Sequence, residues 1–125
     1  MNENEISYKI IGCAIDLHKN LGHGLLESAY EAALEYDLKQ LGLRVETQLA
    51  MPFVYRGVTQ DVGYRLDLLV ERKVIIELKS LENLAPVHFA QTLTYLKLAN
   101  LKLALLINLN TKIMKEGIHR IVNGL

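Results

Sequence analysis

The stretch Tyr64-Arg65-Leu66-Asp67-Leu68-Leu69-Val70-Glu71-Arg72-Lys73-Val74-Ile75-Ile76-Glu77-Leu78-Lys79 reads as two strands joined by a charged turn. Both arms are rich in aliphatic and β-branched residues, and Glu71-Arg72-Lys73 reverses the chain between them. Alternation along the second arm puts Ile75, Glu77 and Lys79 on one face and Val74, Ile76 and Leu78 on the other, so the acid and the amine point the same way. Asp67 stands on the preceding strand of the same hairpin, ten residues before Glu77. A carboxylate among aliphatic neighbours on a central strand is costly to desolvate unless a cation or hydrogen bonds compensate.

Upstream, Val45–Leu49 and Phe53–Tyr55 have strand composition and Arg56-Gly57 is a turn. Val45–Tyr55 is therefore one bent or interrupted strand of a three-stranded antiparallel meander with Tyr64–Val70 and Val74–Leu78. Nearer the N-terminus, Ile6, Ile10, Ala14, Leu17 and Leu21 recur at helical spacing, predicting a helix over Ile6–Leu17 that Gly22-His23-Gly24 stops. A second helix carries Leu26, Tyr30, Ala33, Leu34, Leu38 and Leu41, with Gly42 placed for a left-handed cap. Downstream, Pro86 opens a helix running to about Asn100. Leu103–Asn108 is a nearly unbroken apolar run, suited to a strand covered on both faces, and a short terminal element follows. An α/β domain with a mixed sheet is expected.

The chain has 125 residues, half of them hydrophobic and 22% charged, which predicts a single domain over residues 1–125. One cysteine, Cys13, rules out an internal disulfide and points to a reducing compartment. The longest apolar run, Leu103–Ile107, is far short of the ~20 residues of a membrane span, and Asn2-Glu3-Asn4-Glu5 is unlike a secretory signal, so a cytoplasmic protein without membrane contact is expected. Fourteen basic residues balance fourteen acidic ones, against a protein held to nucleic acid by bulk charge alone. Residues 1–83 carry nine Lys/Arg and thirteen Asp/Glu, whereas 84–125 carry five and one, giving a basic C-terminal surface or a solvated rim.

Two carboxylates and a lysine converging at the end of a hairpin suit a hard divalent cation with the ammonium facing the reacting centre, which is the chemistry of phosphodiester hydrolysis. The bland alternative is an internal salt bridge of Lys79 with Asp67 or Glu77. On the helix opened by Pro86, His88, Gln91 and Tyr95 share one face, presenting an amide and a phenol toward Glu77 and Lys79. Otherwise Tyr95 is a core aromatic and Gln91 an exposed amide. Glu27 and Tyr30 share a face of the second helix, where a first-turn acid is also favoured by the helix dipole, while Glu31 and Glu35 read as solvated surface. His18 and His23 do not make a helical metal pair, Gly22-His23-Gly24 is no phosphate loop, and neither Ser28 nor Ser80 has a nucleophile motif. Cys13 is expected on the buried side of its helix.

Gly24-Leu25-Leu26-Glu27-Ser28-Ala29-Tyr30 matches G-x-x-E-x-x-Y, and from about Ile6 to Val122 the chain resembles the small GxxExxY protein family. The resemblance takes in His18, the Asp67 strand, Glu77-Leu78-Lys79, Gln91 and Tyr95, Leu105-Leu106-Ile107-Asn108, and Gly117-Ile118-His119-Arg120. That family looks like a compact branch of the PD-(D/E)XK nuclease superfamily. This implies a restriction-endonuclease-like αβββαβ core and a divalent-metal-dependent nuclease. Asp67 is then similar to the metal-binding aspartate, Glu77 and Lys79 to the (D/E)-x-K pair, and Gln91 and Tyr95 to the Q-x-x-x-Y helix motif, with Leu66 where proline often precedes the aspartate. Mg²⁺ or Mn²⁺ would be held by Asp67, Glu77, Glu27 and the main-chain carbonyl of Leu78. The expected partner is nucleic acid, DNA before RNA. A non-catalytic nucleic-acid- or protein-binding module that keeps the fold is the alternative, and a structural or oligomeric subunit of a larger machine, a homodimer or higher species with the aliphatic C-terminal region as its interface, is a third reading.

Overall fold

In the computed structural model, which describes the backbone of residues 1–125 and every side chain except those of residues 61 and 62, helix α1 spans Glu3–Leu21 and α2 Glu27–Gln40. Strands β1 (Val45–Tyr55), β2 (Val58–Val70) and β3 (Val74–Lys79) follow. Then come α3 (Pro86–Ala99), β4 (Leu103–Asn108), the short α4 (Met114–Gly117) and β5 (Ile118–Val122). The five strands form one sheet in the order β1-β2-β3-β4-β5. β3 and β4 are parallel with α3 as their crossover, and the other neighbours are antiparallel. The fold is therefore α/β, with a mixed sheet flanked by helices and the restriction-endonuclease-like order of elements.

Helix α1 starts earlier than apolar periodicity predicts because Asn2 and Glu5 cap it reciprocally. The Glu5 N–H donates to Asn2 Oδ1 at 2.8 Å and the Asn2 N–H to Glu5 Oε1 at 3.2 Å. Gly42, at φ 82°, ends α2 as expected, and the Leu43 N–H reaches back to the Leu38 carbonyl at 3.2 Å. Strand β2 also starts earlier than its apolar pattern. Arg56 and Gly57 both take positive φ, 51° and 76°, and this two-residue turn continues the ladder directly from Tyr55↔Val58.

Helices α1 and α2 pack on one face of the sheet through Ile6, Ile10, Leu17, Tyr30, Leu34 and Leu38, against Leu68, Val70, Ile76, Leu105 and Ile107. On the other face Tyr95 and Leu96 of α3 cover Leu66, Leu69, Ile75 and Ala104. Strands β3 and β4 are thus buried on both sides, which is why their sequences show apolar runs. Cys13 is half-buried and not fully covered, and burial followed by Asp37 and Asp16 pushes its thiol pKa up, the opposite of an activated nucleophile. Among the described residues no helix is long and apolar enough to cross a membrane.

The loop that leaves β3 is pinned at the C-terminal end of β4. Buried Asn108, paired in register with Lys79, accepts from the Leu81 N–H at 3.0 Å and donates to the Leu81 carbonyl at 2.9 Å, fixing the loop after β3. Gly117 passes so close to the Asn108 carbonyl that a β-carbon there would overlap it, whereas Gly12, in the interior of α1, has open space. Gly117→Ala is expected to destabilise the protein by about 1–3 kcal/mol, and Gly12→Ala to stabilise it by up to about 1 kcal/mol. Denaturant unfolding of the two variants checks the pair, and equal midpoints would contradict it.

Candidate active site at the fork between two strands

Strands β2 and β3 pair as Val70↔Val74, Leu69↔Ile75 and Leu68↔Ile76, and there the ladder stops. Beyond it the strands part, leaving backbone N–H groups without ladder partners. Carboxylates take their place: the Asp67 N–H donates to Glu77 Oε1 at 3.3 Å, and the Leu78 N–H donates to Asp67 Oδ2 at 2.8 Å. Each acid is held by the backbone of the other's neighbourhood, which is the compensation that an acid on a central strand requires.

The fork coincides with a change of face. Leu66 and Leu68, two residues apart, belong to opposite cores, as do Val45 and Leu49, four apart on β1. Regular pleating would keep each pair on one side. The ladder between β1 and β2 passes in unchanged register from Thr47↔Leu68 to Leu49↔Leu66 without a Gln48↔Asp67 pair, and Gln48 takes φ 49°. At this point Asp67 meets groups of both layers, Gln48 on one side and the N–H of Leu78 and the carboxylate of Glu77 on the other.

On the α2 side a cleft of about 180 Å³ is lined by Glu27, Ser28, Glu31, Gln48, Asp67 and Leu78. Glu27 opens α2 and accepts from the Ser80 N–H at 2.8 Å, tying the helix start to the end of β3. Tyr30, fully buried, secures the preceding loop: its hydroxyl donates to the Gly22 carbonyl and accepts from the Leu25 N–H at 3.4 Å. Gln48 Nε2 donates to Glu31 Oε1 at 2.7 Å and lies 3.5 Å from Asp67 Oδ1. On the α3 side, Glu77 is buried in line with Ile75 and Lys79, close to Tyr95.

The electrostatics are those of crowded acids. Burial, followed by the Asp67 charge, pushes Glu77 up to about 8, against the pull of the Asp67 N–H and Lys79. Burial and then the charges of Asp67, Glu35 and Glu27 raise Glu31, with the Gln48 amide opposing them. Burial, followed by Glu77 and Asp67, raises the Tyr95 hydroxyl. Lys79 makes no ion pair among the described residues, so the internal salt bridge offered by the sequence is absent from this arrangement.

Of the residues singled out from sequence, Asp67, Glu77, Leu78 and Glu27 gather at the fork. Lys79 is next along Glu77's face, and Tyr95 approaches from α3. Gln91 is exposed one turn away, in a groove with Tyr64 and Tyr95 and outside the carboxylate cleft. His88 turns back to accept the Ala85 N–H at 2.9 Å, so the three residues expected on one polar face do three different things. Sequence reading missed Glu31 and Gln48. Glu31 lies one helical turn after Glu27, a spacing that puts both on one face, but nothing in the local sequence marks Gln48. Among the described residues no three His, Cys, Asp or Glu side chains enclose an ion position as they stand.

A model of the PD-(D/E)XK nuclease superfamily matches residues 4–121, nearly the whole chain. The chain belongs to the PD-(D/E)XK nuclease superfamily. No curated protein and no solved structure matches it. In this PD-(D/E)XK protein the Asp67 and Glu77-Leu78-Lys79 segments stand on the two strands that part at the fork.

The raised Glu77 value has a consequence for stability in cation-free solution. A carboxyl whose pKa is 4.5 when unconstrained and about 8 in the fold keeps a proton that the unfolded chain releases. Its stabilising effect is complete below the lower value and is lost as pH rises through the upper one. Melting with chelator present should show a fall in Tm from about pH 5 to about pH 9. Glu77→Gln should flatten this fall and exceed the parent by on the order of 10 °C at the alkaline end. Parallel curves for the two proteins would contradict the burial argument.

Proposed function

We propose that the chain is a divalent-metal-dependent nuclease that hydrolyses phosphodiester bonds in nucleic acid, DNA before RNA, and that it is a member of the GxxExxY branch of its superfamily. The observation that carries this reading is the β2–β3 fork, where Asp67 and Glu77 are fixed by crossed backbone hydrogen bonds beside Lys79, which makes no ion pair among the described residues.

The donor set fits a hard cation. All four acids, Glu27, Glu31, Asp67 and Glu77, offer oxygen, and Mg²⁺ and Mn²⁺ prefer carboxylate, carbonyl and water oxygens. The Lys79 carbonyl is turned toward β4, accepting the Leu109 N–H at 2.7 Å. The preceding residue, Leu78, therefore directs both its N–H and its C=O to the β2 side, consistent with its N–H bond to Asp67. Asp67, Glu77 and the Leu78 carbonyl would hold the cation, with Glu27 at the edge. When bound, such a cation supplies charge neutralisation at the scissile phosphate and acidifies water.

The remaining roles belong to the chain itself. Lys79 Nζ, on the face of Glu77, orients the attacking water and balances negative charge developing on the phosphate oxygens. The Tyr95 hydroxyl, kept protonated by its surroundings, donates toward the same region from α3. Gln91 positions the approaching strand from the outer groove, and the Gln48 amide keeps Glu31 and Asp67 apart without a charge of its own.

The test is a cleavage panel of single- and double-stranded DNA and RNA with Mg²⁺ or Mn²⁺, run beside Asp67→Asn and Lys79→Ala. Each variant should keep its fold by circular dichroism and lose at least about 100-fold in rate. Chelator should stop the parent enzyme. Chelator-resistant cleavage, or variants at the parent rate, would overturn the proposal; binding without turnover would leave a non-catalytic module.

A further inference from the structure

A connected row of aromatic rings runs from the tip of the β1–β2 hairpin to the carboxylate fork. Tyr55 and Phe53 lie nearly parallel, 17° apart with centroids at 6.4 Å. Phe53 meets Tyr64 edge-on at 6.4 Å, and Tyr64 meets Tyr95 edge-on at 5.8 Å. The Arg56 guanidinium sits 5.3 Å from the Tyr55 ring centre at the outer end. Exposure falls inward, from 54% at Tyr55 to 7% at Tyr95, with Phe53 and Tyr64 half-buried between them. Two grooves flank the row and share Tyr64: one of about 320 Å³ that also takes in Met51 and Arg65, and one of about 280 Å³ that takes in Gln91 and Tyr95.

Exposed rings continuous with buried ones hold apolar surface in water that packing alone does not require. A ligand that matches the row needs flat π-faces to lie against the rings and negative charge to meet Arg56. Unpaired nucleotides have both. In a duplex the base faces are occupied by stacking within the helix, so a paired substrate leaves the rings without partners.

We propose that the row from Tyr55 to Tyr95 is a stacking track for unpaired nucleotides, which makes single-stranded nucleic acid, or a single-stranded end or flap, the substrate class of the fork. This rests on the proposed nuclease reading. Arg56 and Tyr55 receive the strand, Phe53 and Tyr64 stack its bases, and the backbone is delivered past Tyr95 to the acids.

The experiment has two readouts. Fluorescence anisotropy with Ca²⁺ measures binding of labelled DNA and RNA strands of about 12 nucleotides and of the matching duplexes. Hydrolysis of bis(p-nitrophenyl) phosphate with Mn²⁺, a diester too small to reach the hairpin, measures the chemistry alone. The parent should prefer the single strand to the duplex. Tyr55→Ala and Arg56→Ala should weaken single-strand binding roughly fivefold or more, Tyr55→Phe should restore it, and all should hydrolyse the small diester at the parent rate. The DNA and RNA arms tell which backbone is preferred. Equal affinity for strand and duplex, binding indifferent to Tyr55, or no strand binding overturns the track, even while diester hydrolysis upholds the nuclease reading. Tyr55-dependent strand binding without diester hydrolysis does the reverse.

Discussion

The structure turns on two backbone N–H groups, those of Asp67 and Leu78, that lose their ladder partners where β2 and β3 separate. In a sheet covered on both faces such donors are expensive to leave unmade. The carboxylates of Glu77 and Asp67 satisfy them crosswise, at 3.3 and 2.8 Å, so the strands can part without orphaned groups. Two acids are thereby brought together, Glu77 buried and Asp67 partly exposed along the cleft. The Glu77 proton follows directly, because burial and a neighbouring negative charge both disfavour its ionised form.

The fork also explains how a small chain draws one site from both sides of its sheet. Were the pleat regular, Asp67 would face either α2 or α3. At the change of face, Asp67 lines the cleft with Glu27 and Glu31 while its N–H donates to Glu77 of the opposite layer. Tyr30 and Asn108 act at a distance from the acids: one ties down the loop that launches α2, the other the loop that leaves β3. Their positions account for the tyrosine one turn after Glu27 and for an asparagine ending an otherwise apolar strand.

Much of this was readable in the sequence because periodicity reports burial. The doubly covered β4 appears as Leu103–Ile107, the amphipathic α1 as its stripe from Ile6 to Leu17, and the shared orientation of Glu77 and Lys79 follows from strand alternation. Boundaries failed where a local device acts without apolar pattern. The Asn2/Glu5 cap lengthens α1, and the Arg56-Gly57 turn carries β2 back to Val58. Site membership failed where tertiary placement decides it. Glu31 resembles any exposed helical acid, the positive φ of Gln48 has no sequence mark, and His88 follows the helix start instead of the face it shares with Tyr95.

The proposed cation site belongs to the acids at the fork and not to some other acidic pair. Paramagnetic broadening of backbone amide signals by substoichiometric Mn²⁺ tests it most directly. The Asp67, Leu78 and Ser80 amides should be lost early, with Asp67→Asn abolishing the effect. Broadening centred on Asp16 and Asp37 in the α1–α2 groove, or loss spread evenly over the acidic surface, would contradict it.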